Sequence, residues 1–357
     1  MSDIVIIGGG IAGLSAGARL APHMHVTVLE AEEALAYHAS GRSAALFEPH
    51  YGSPTTVALS LASSEFYLGG EARYCSPRGV LFLARADERA AFEKDCAAMD
   101  LAEITVDEAR ALVPIINPGT VAFAGHGSGA HDIDTDRMIQ DFAREIRANG
   151  GTIHLKSPVN AIAYDGAWQV TAGGVQHSAG LLLNAAGPWA DTVLEMAGLP
   201  RISFTPCRRS MARIPAPGGH DVSGWPMFFG TGETWYAKPD AGQLIVSPAE
   251  EEPMAPQDAW ADDMVLAEGL ARYEEMVSEP VTRVTANWAG LRTFAPDRKL
   301  VLGRSPHHPA LYLSAGQGGY GFQTAPAASQ LVADHILGRA PALDPDLVAA
   351  LSPARFA

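Results

Sequence analysis

Gly8, Gly10 and Gly13 stand at the spacing G-x-G-x-x-G, and Glu30 follows seventeen residues after the last of them. That set of residues can hold a pyrophosphate and a ribose. The first glycine permits a tight turn, the second lets backbone approach phosphate oxygens, and the third lets a helix pack closely on its strand. Ile11 and Ala12 open that helix, whose free N–H groups and positive dipole end face the phosphates. Glu30 closes the second strand, where a carboxylate accepts from ribose hydroxyls. Glycine-rich turns are common, so the motif alone is weak. Here the apolar strand from Ile4, the helix and the terminal acid all agree on dinucleotide binding. A second set, Gly41 to Leu46 (GRSAAL), pairs small residues with one cation. Ser43, Ala44 and Ala45 would let a planar ring lie against backbone, and Arg42 could meet phosphate or ring oxygens.

The elements that must position these residues are spread along the chain. Leu181 to Asn184 reads as an apolar strand running into Ala185-Ala186-Gly187-Pro188, then a helix from Trp189 to about Ala197. Leu311 to Ala315 is another strand, followed by Gly316-Gln317-Gly318-Gly319-Tyr320-Gly321 and a helix from about Gln323 to Ile336. A chain that binds only NAD finishes its nucleotide domain in one stretch. Pieces at the start, middle and end imply instead a flavin domain interrupted twice. The expected fold is α/β: a Rossmann-like FAD-binding domain (1–54, 137–199, 287–357) interleaved with an antiparallel-sheet substrate domain (55–136, 200–286). In the second domain short strands alternate with turns at Val80–Leu83, Arg208–Ile214, Thr234–Lys238 and Gln243–Val246. Helices are expected at Asp87–Met99, Asp107–Leu112 and about Ala261–Val277. Glu250-Glu251-Glu252, flanked by prolines, reads as a solvated loop.

The 357 residues are 47% hydrophobic and 18% charged, enough to bury a large core in two domains. A net charge of −15 disfavours nonspecific binding to nucleic acid or anionic lipid. Cys75, Cys96 and Cys207 are odd in number and widely spaced, so neither a disulfide framework nor a zinc site is expected. No apolar run reaches membrane-spanning length and no basic stretch precedes the first strand, so a cytoplasmic monomer or small homo-oligomer is expected. His126, His131, Asp132, Asp134 and Asp136 look like metal ligands by composition. The aspartates instead suit the start of a helix near Thr135, and no metal is expected.

The later motifs form an ordered set: YHASGRSAA (37–45), DIDTD (132–136), CRRS (207–210), YAKPDAG (236–242), SPA (247–249), WAGLRTF (288–294) and GQGGYGFQT (316–324). From Asp3 to about Gly338 the chain resembles the D-amino acid dehydrogenase branch of the D-amino acid oxidase/glycine oxidase superfamily of flavoenzymes, most nearly the D-arginine dehydrogenase type. The resemblance implies FAD as cofactor. His38 lies where some relatives bond covalently to flavin, but the SGRSAA context and a glycine loop without cysteine imply noncovalent binding. Further cofactor contacts are implied at Val159, Ala186, Gly187 and Trp189, and at Gly318, Gly319, Tyr320, Gly321, Phe322, Gln323 and Thr324.

The resemblance also implies a chemistry. Arg209 and Arg292 resemble paired arginines that clamp a substrate α-carboxylate, a planar anion that guanidinium forks match. Tyr236 and Tyr51 resemble tyrosines that bond or close over the same group, and the Gly319 carbonyl resembles the acceptor for the substrate amine. The implied reaction is oxidative deamination of a small D-amino acid by hydride transfer from Cα to flavin N5, with a quinone or dioxygen as electron acceptor. His50 and Tyr51, in a gating loop from Glu48 to Ser53, are weak candidates for a base. Relatives adapted to arginine carry a carboxylate on the strand after a Pro-Arg pair. Here Val80, Leu81 and Phe82 follow Pro77-Arg78, so a neutral or hydrophobic side chain is expected, although Glu48 could supply an acid from the loop. A glycine- or sarcosine-type oxidase or demethylase, and a 2-hydroxy-acid dehydrogenase, are the alternatives.

Overall fold

The computed structural model describes residues 2–70 and 73–357. Ser2–Ile7 lies between Val26–Leu29 and Val175–Asn184, parallel to both, and Leu311–Ala315 adds in parallel on the far side of Val175–Asn184. The residues from Ile4 to Ile7, Val26 to Leu29 and Leu182 to Asn184 are buried, as strands covered on both faces must be. All four strands point the same way, so the three strand–glycine turns at Gly8, Ala185–Gly187 and Gly316 collect at one edge of the sheet. In open parallel sheets ligands bind at that carboxyl edge. Thr152–His154 and an antiparallel pair, Val159–Tyr164 with Trp168–Ala172, complete this side.

Two helices cover the sheet. Ile11–Leu20 follows the first turn, and Gly13 packs so tightly that a Cβ there would lie 2.0 Å from the Gly8 carbonyl oxygen. Gly321–Leu337 follows the last turn and stops at Gly338, whose φ of 67° is the left-handed cap that glycine favours. Their apolar faces merge with those of Pro54–Leu68 and Thr135–Ala148 into one core holding Ile6, Leu14, Tyr67, Met138 and Leu331.

The second sheet has nine strands. Its centre pairs Thr205–Ile214 antiparallel with Ala286–Phe294 and Gln243–Ser247, and the latter with Tyr236–Asp240. It is not wholly antiparallel, because Met227–Gly230 runs parallel to Val80–Ala84. Two segments cross the expected division. The strand Ala286–Phe294, with residues 287–294 expected in the flavin domain, hydrogen-bonds along its whole length into the second sheet. The helix Pro54–Leu68, expected from residue 55 in the substrate domain, places Leu59 and Tyr67 in the core of the first sheet.

Candidate active site

A cavity of about 470 Å³ opens at the carboxyl edge of the parallel sheet. Gly8, Gly10, Ile11, Ala12 and Glu30 line one end of it, and Val159, Ala186, Gly187 and Trp189 line its flank. Arg42, Ser43 and Ala44 line the side toward the second sheet, facing Gly318, Gly319, Gly321 and Phe322. Gly8 has φ of +113° and a Cβ there would sit 2.3 Å from the Ala185 carbonyl oxygen, so only glycine fits the turn. Glu30 accepts from the Gly9 and Glu32 N–H groups at 2.7 and 2.9 Å. The N-cap Gly10 offers no side-chain cap and the first turn has no acid, so beyond the Ile11 N–H, which the Ser40 hydroxyl accepts, the first-turn N–H groups remain for an anion. The long helix likewise begins uncapped at Tyr320.

Several expected contacts stand elsewhere. Gly13 packs helix against turn and does not line the cavity. Ala45 and Gln323 line a smaller adjoining chamber, while Tyr320 and Thr324 line neither space. The Thr324 hydroxyl donates to the Tyr320 carbonyl at 2.8 Å, inside the helix. Arg42 lines the cavity with its stem, but its guanidinium is turned away from it. It donates to the carbonyls of Tyr37, Ala259 and Ala289 and pairs with Asp258 at 2.6 Å, fastening the GRSAAL segment to the second sheet. Sequence reading missed Ser40, which accepts from the Ile11 N–H at 3.0 Å, and Lys238. The buried Lys238 ammonium donates to the Ala44 and Ala45 carbonyls at 2.5 and 3.3 Å and pairs with Asp132 at 2.9 Å. It thereby holds the backbone of Ala45, a non-glycine residue at φ of 35°. Asp134, as expected, caps the helix from Thr135 by accepting from the Arg137 N–H.

The smaller chamber, about 60 Å³, shares Ser43, Ala44, Arg292, Gly319 and Phe322 with the large cavity. Its walls are apolar: Leu46, Met99, Met227, Phe229 and the ring of Tyr236. Val80 and Phe82 back this wall and do not line it; Met227 and Phe229, one strand over, replace them. In the ladder Cys207 faces Arg292 and Arg209 faces Gly290, so Arg209 and Arg292 project from the same face, diagonally adjacent. Arg208 falls on the opposite face, where it pairs with Glu252. The two clamp candidates nonetheless differ. Arg209 donates through Nε to the Glu250 carbonyl at 2.8 Å and lies 3.5 Å from Glu251, while its Nη1 is buried without a partner. The Glu250–Glu252 segment is thus no free loop: Glu250 also accepts from the Ser210 N–H and Glu252 pairs into the sheet.

Arg292 is partnered by no acid and no hydrogen-bond acceptor among the described residues. Its guanidinium packs on Gly319, where a Cβ would lie 2.7 Å from Nη1. Burial pulls this guanidinium down, but Tyr236, Tyr51, Tyr320 and Glu233 outweigh burial and hold it above its ordinary value. Tyr51 donates to Glu233 at 2.7 Å, its ring lies tilted against that of Tyr320 with centroids 5.5 Å apart, and its carbonyl accepts from Gln323 at 3.0 Å. Burial and the neighbouring Glu233 hold the Tyr51 phenol well above its usual range, so it remains a donor. The Tyr236 hydroxyl meets only the Met211 sulfur, at 3.4 Å. Glu233, which no sequence motif marked, latches the tyrosine over the chamber.

A parallel sheet that presents three glycine turns to a long cavity, with a sheet-borne arginine at its inner end, defines a dinucleotide-dependent redox enzyme. The family model for FAD dependent oxidoreductases matches residues 3–335, and the chain belongs to that family. Glycine oxidase of Pseudomonas aeruginosa is 27% identical over 96% of each chain. N-methyl-L-tryptophan oxidase of Salmonella typhimurium is 24% identical, again over 96% of each chain. Among solved structures, glycine oxidase from Geobacillus kaustophilus superposes with a TM-score of 0.83 at 21% identity, covering 99% of this chain and 98% of its own. The cavity suits FAD. Buried polar atoms without partners, Arg209 Nη1 and Thr293 Oγ1, belong to residues that line it, and uncapped helix ends meet it at two points.

Proposed function

We propose that this chain oxidises a small α-amino acid of D configuration, releasing the 2-oxo acid and ammonia. Arg292 carries the reading: a half-buried cation with no acid paired to it, on the wall between the cofactor cavity and a small chamber, matches a substrate carboxylate. Arg209 supports it from the same face of the sheet, as a positioning charge shared with Glu251. Tyr236 would donate to the carboxylate, Tyr51, whose one hydroxyl proton goes to Glu233, would close over it, and the Gly319 carbonyl would accept from the amine. Bound FAD would supply the two-electron acceptor. The chain's own part is to bind the anion, orient Cα–H toward the shared wall at Ser43, Ala44 and Gly319, and exclude water through the Tyr51–Glu233 latch. Loss of an ammonium proton before oxidation requires no dedicated base in this arrangement, since His50 bonds to Glu48 and does not line the chamber. The D configuration rests on the YAKPDAG, WAGLRTF and GQGGYGFQT motifs.

The chamber's small volume favours a second reading, in which glycine or sarcosine is the substrate, as the names of the glycine oxidase relatives suggest. Anaerobic mixing of the FAD-loaded protein with D- and L-amino acids, glycine, sarcosine and 2-hydroxy acids decides among these. Bleaching of the visible flavin band by D-amino acids supports the first reading. Bleaching by hydroxy acids alone overturns it. Admitting air afterwards separates a dioxygen acceptor from a quinone.

A further inference from the structure

The chamber holds one feature that the carboxylate clamp does not use. Among its described lining residues Glu48 is the sole acid, set among Leu46, Met99, Met227 and Phe229. It is 4% exposed. One oxygen, Oε1, accepts from the His50 N–H at 3.1 Å and lies 3.4 Å from His50 Nδ1. No described residue hydrogen-bonds to Oε2, whose nearest approach to Gly129 leaves 4.0 Å to an added Cβ there. Burial raises this carboxyl above its ordinary value against the pull of His50 and His131, the two imidazoles that face it. An acid kept in an apolar wall with one oxygen unbonded is costly unless something meets it.

We propose that Glu48 reads the substrate side chain: Oε2 accepts from a hydrogen-bond donor, a hydroxyl, amide or ammonium, at the end of a short side chain whose carboxylate is held by Arg292. This rests on the amino-acid reading and narrows it. The two charged groups then divide the substrate between them. Arg292 fixes the end common to all amino acids, and Glu48 discriminates among side chains, because a buried acceptor left unpaired penalises an isostere without the donor.

Serine and 2-aminobutyrate differ by a hydroxyl for a methyl, so they isolate the contact. Asparagine and 2,4-diaminobutyrate test amide and ammonium, and both enantiomers of each are used. The wild-type holoenzyme should prefer serine to 2-aminobutyrate by about 10- to 100-fold in kcat/KM, the range of one hydrogen bond to a charged group. Glu48→Leu leaves no polar group to meet a hydroxyl, which could otherwise accept from a glutamine NH₂, and should abolish that preference. Equal loss for serine, 2-aminobutyrate and alanine would mean that Glu48 serves the loop or the amine, and would overturn the proposal. A second measurement needs no turnover: perturbation of the bound flavin's spectrum by 3-hydroxypropanoate and butanoate. The wild type should bind the hydroxylated acid more tightly and Glu48→Leu should not; equal affinities in the wild type refute the contact. Should no amino acid reduce the flavin, the amino-acid reading fails, while this binding comparison still decides the role of Glu48.

Discussion

Replacing Arg292 by Met separates a binding cation from a structural one. The residue is half-buried and no described acid pairs with it, so its removal strands no carboxylate. Truncating one side of a buried charged contact costs about 2–5 kcal/mol. Partial exposure and the field of Glu233 place Arg292 in the lower part of that range, about 2–3 kcal/mol, or about 30- to 150-fold in kcat/KM. The thermal midpoint should hold, because no ion pair is broken. Arg208→Met supplies the contrast on the opposite face of the same strand. Arg208 pairs with Glu252 and lies within 3.8 Å of both Glu250 and Asp262. Its loss should cost about 2–3 kcal/mol of stability, less than a fully buried pair because Glu252 is half exposed, and leave KM unchanged. Steady-state assays with a dye acceptor, anaerobic flavin reduction against substrate concentration, and thermal melts of the holoproteins measure all three quantities. An Arg292→Met enzyme with kcat/KM within threefold of wild type, or one that melts far earlier, would refute the assignment.

Three further substitutions probe the surroundings. Gly319→Ala places a methyl 2.7 Å from Arg292 Nη1, so the guanidinium must swing aside; KM should rise by tenfold or more with FAD retained, and an unchanged KM would show that the guanidinium does not grip substrate from there. Lys238→Met leaves the Ala44 and Ala45 carbonyls without their donor and Asp132 without one of its two ion-pair partners, and should weaken FAD retention and lower stability by about 2–3 kcal/mol, because Arg78 still pairs with Asp132; a titration of apoprotein with FAD that matches wild type would refute this. Burial raises the Glu48 carboxyl, so the folded state keeps a proton that the unfolded chain has already released. Stability should therefore fall as pH rises from the ordinary carboxylate range through the folded value, and Glu48→Gln should flatten that slope; parallel pH–stability curves for the two proteins would count against it.

What the sequence made legible was local. Three apolar strands each run directly into a glycine turn, and both the strand period and the turn chemistry lie within a dozen residues, so the carboxyl-edge cavity could be anticipated. Alternation along one strand likewise separates Arg208 from Arg209 without any tertiary knowledge. What stayed hidden depends on partners far along the chain. Arg42 looked free because Asp258 and Ala259, which occupy it, follow more than two hundred residues later. Ala286–Phe294 looked like part of the nucleotide domain because it precedes the last strand–turn unit, yet its ladder partner is Thr205–Ile214.

The chamber wall shows the same physics most clearly. Val80–Ala84 is apolar enough to be a pocket wall, but Met227–Gly230 pairs along its edge and its two faces are buried in two cores, Leu81 and Leu83 with Phe228, Val80 and Phe82 with Phe92. The residues that meet the substrate space are then Met227 and Phe229, flexible and broad side chains that close it to a small volume. Glu48 looked like a loop residue because nothing adjacent in sequence shields it. Its burial arises only when Leu46–Phe47 pairs with His131–Ile133 and draws the loop against the second sheet. Size and apolarity are therefore set by the sheet's pairing order, and the lone acid by the short strand that docks beside it. If Glu48 reads the side chain as proposed, substitution there should change specificity while Arg292, on a separate strand, keeps its place.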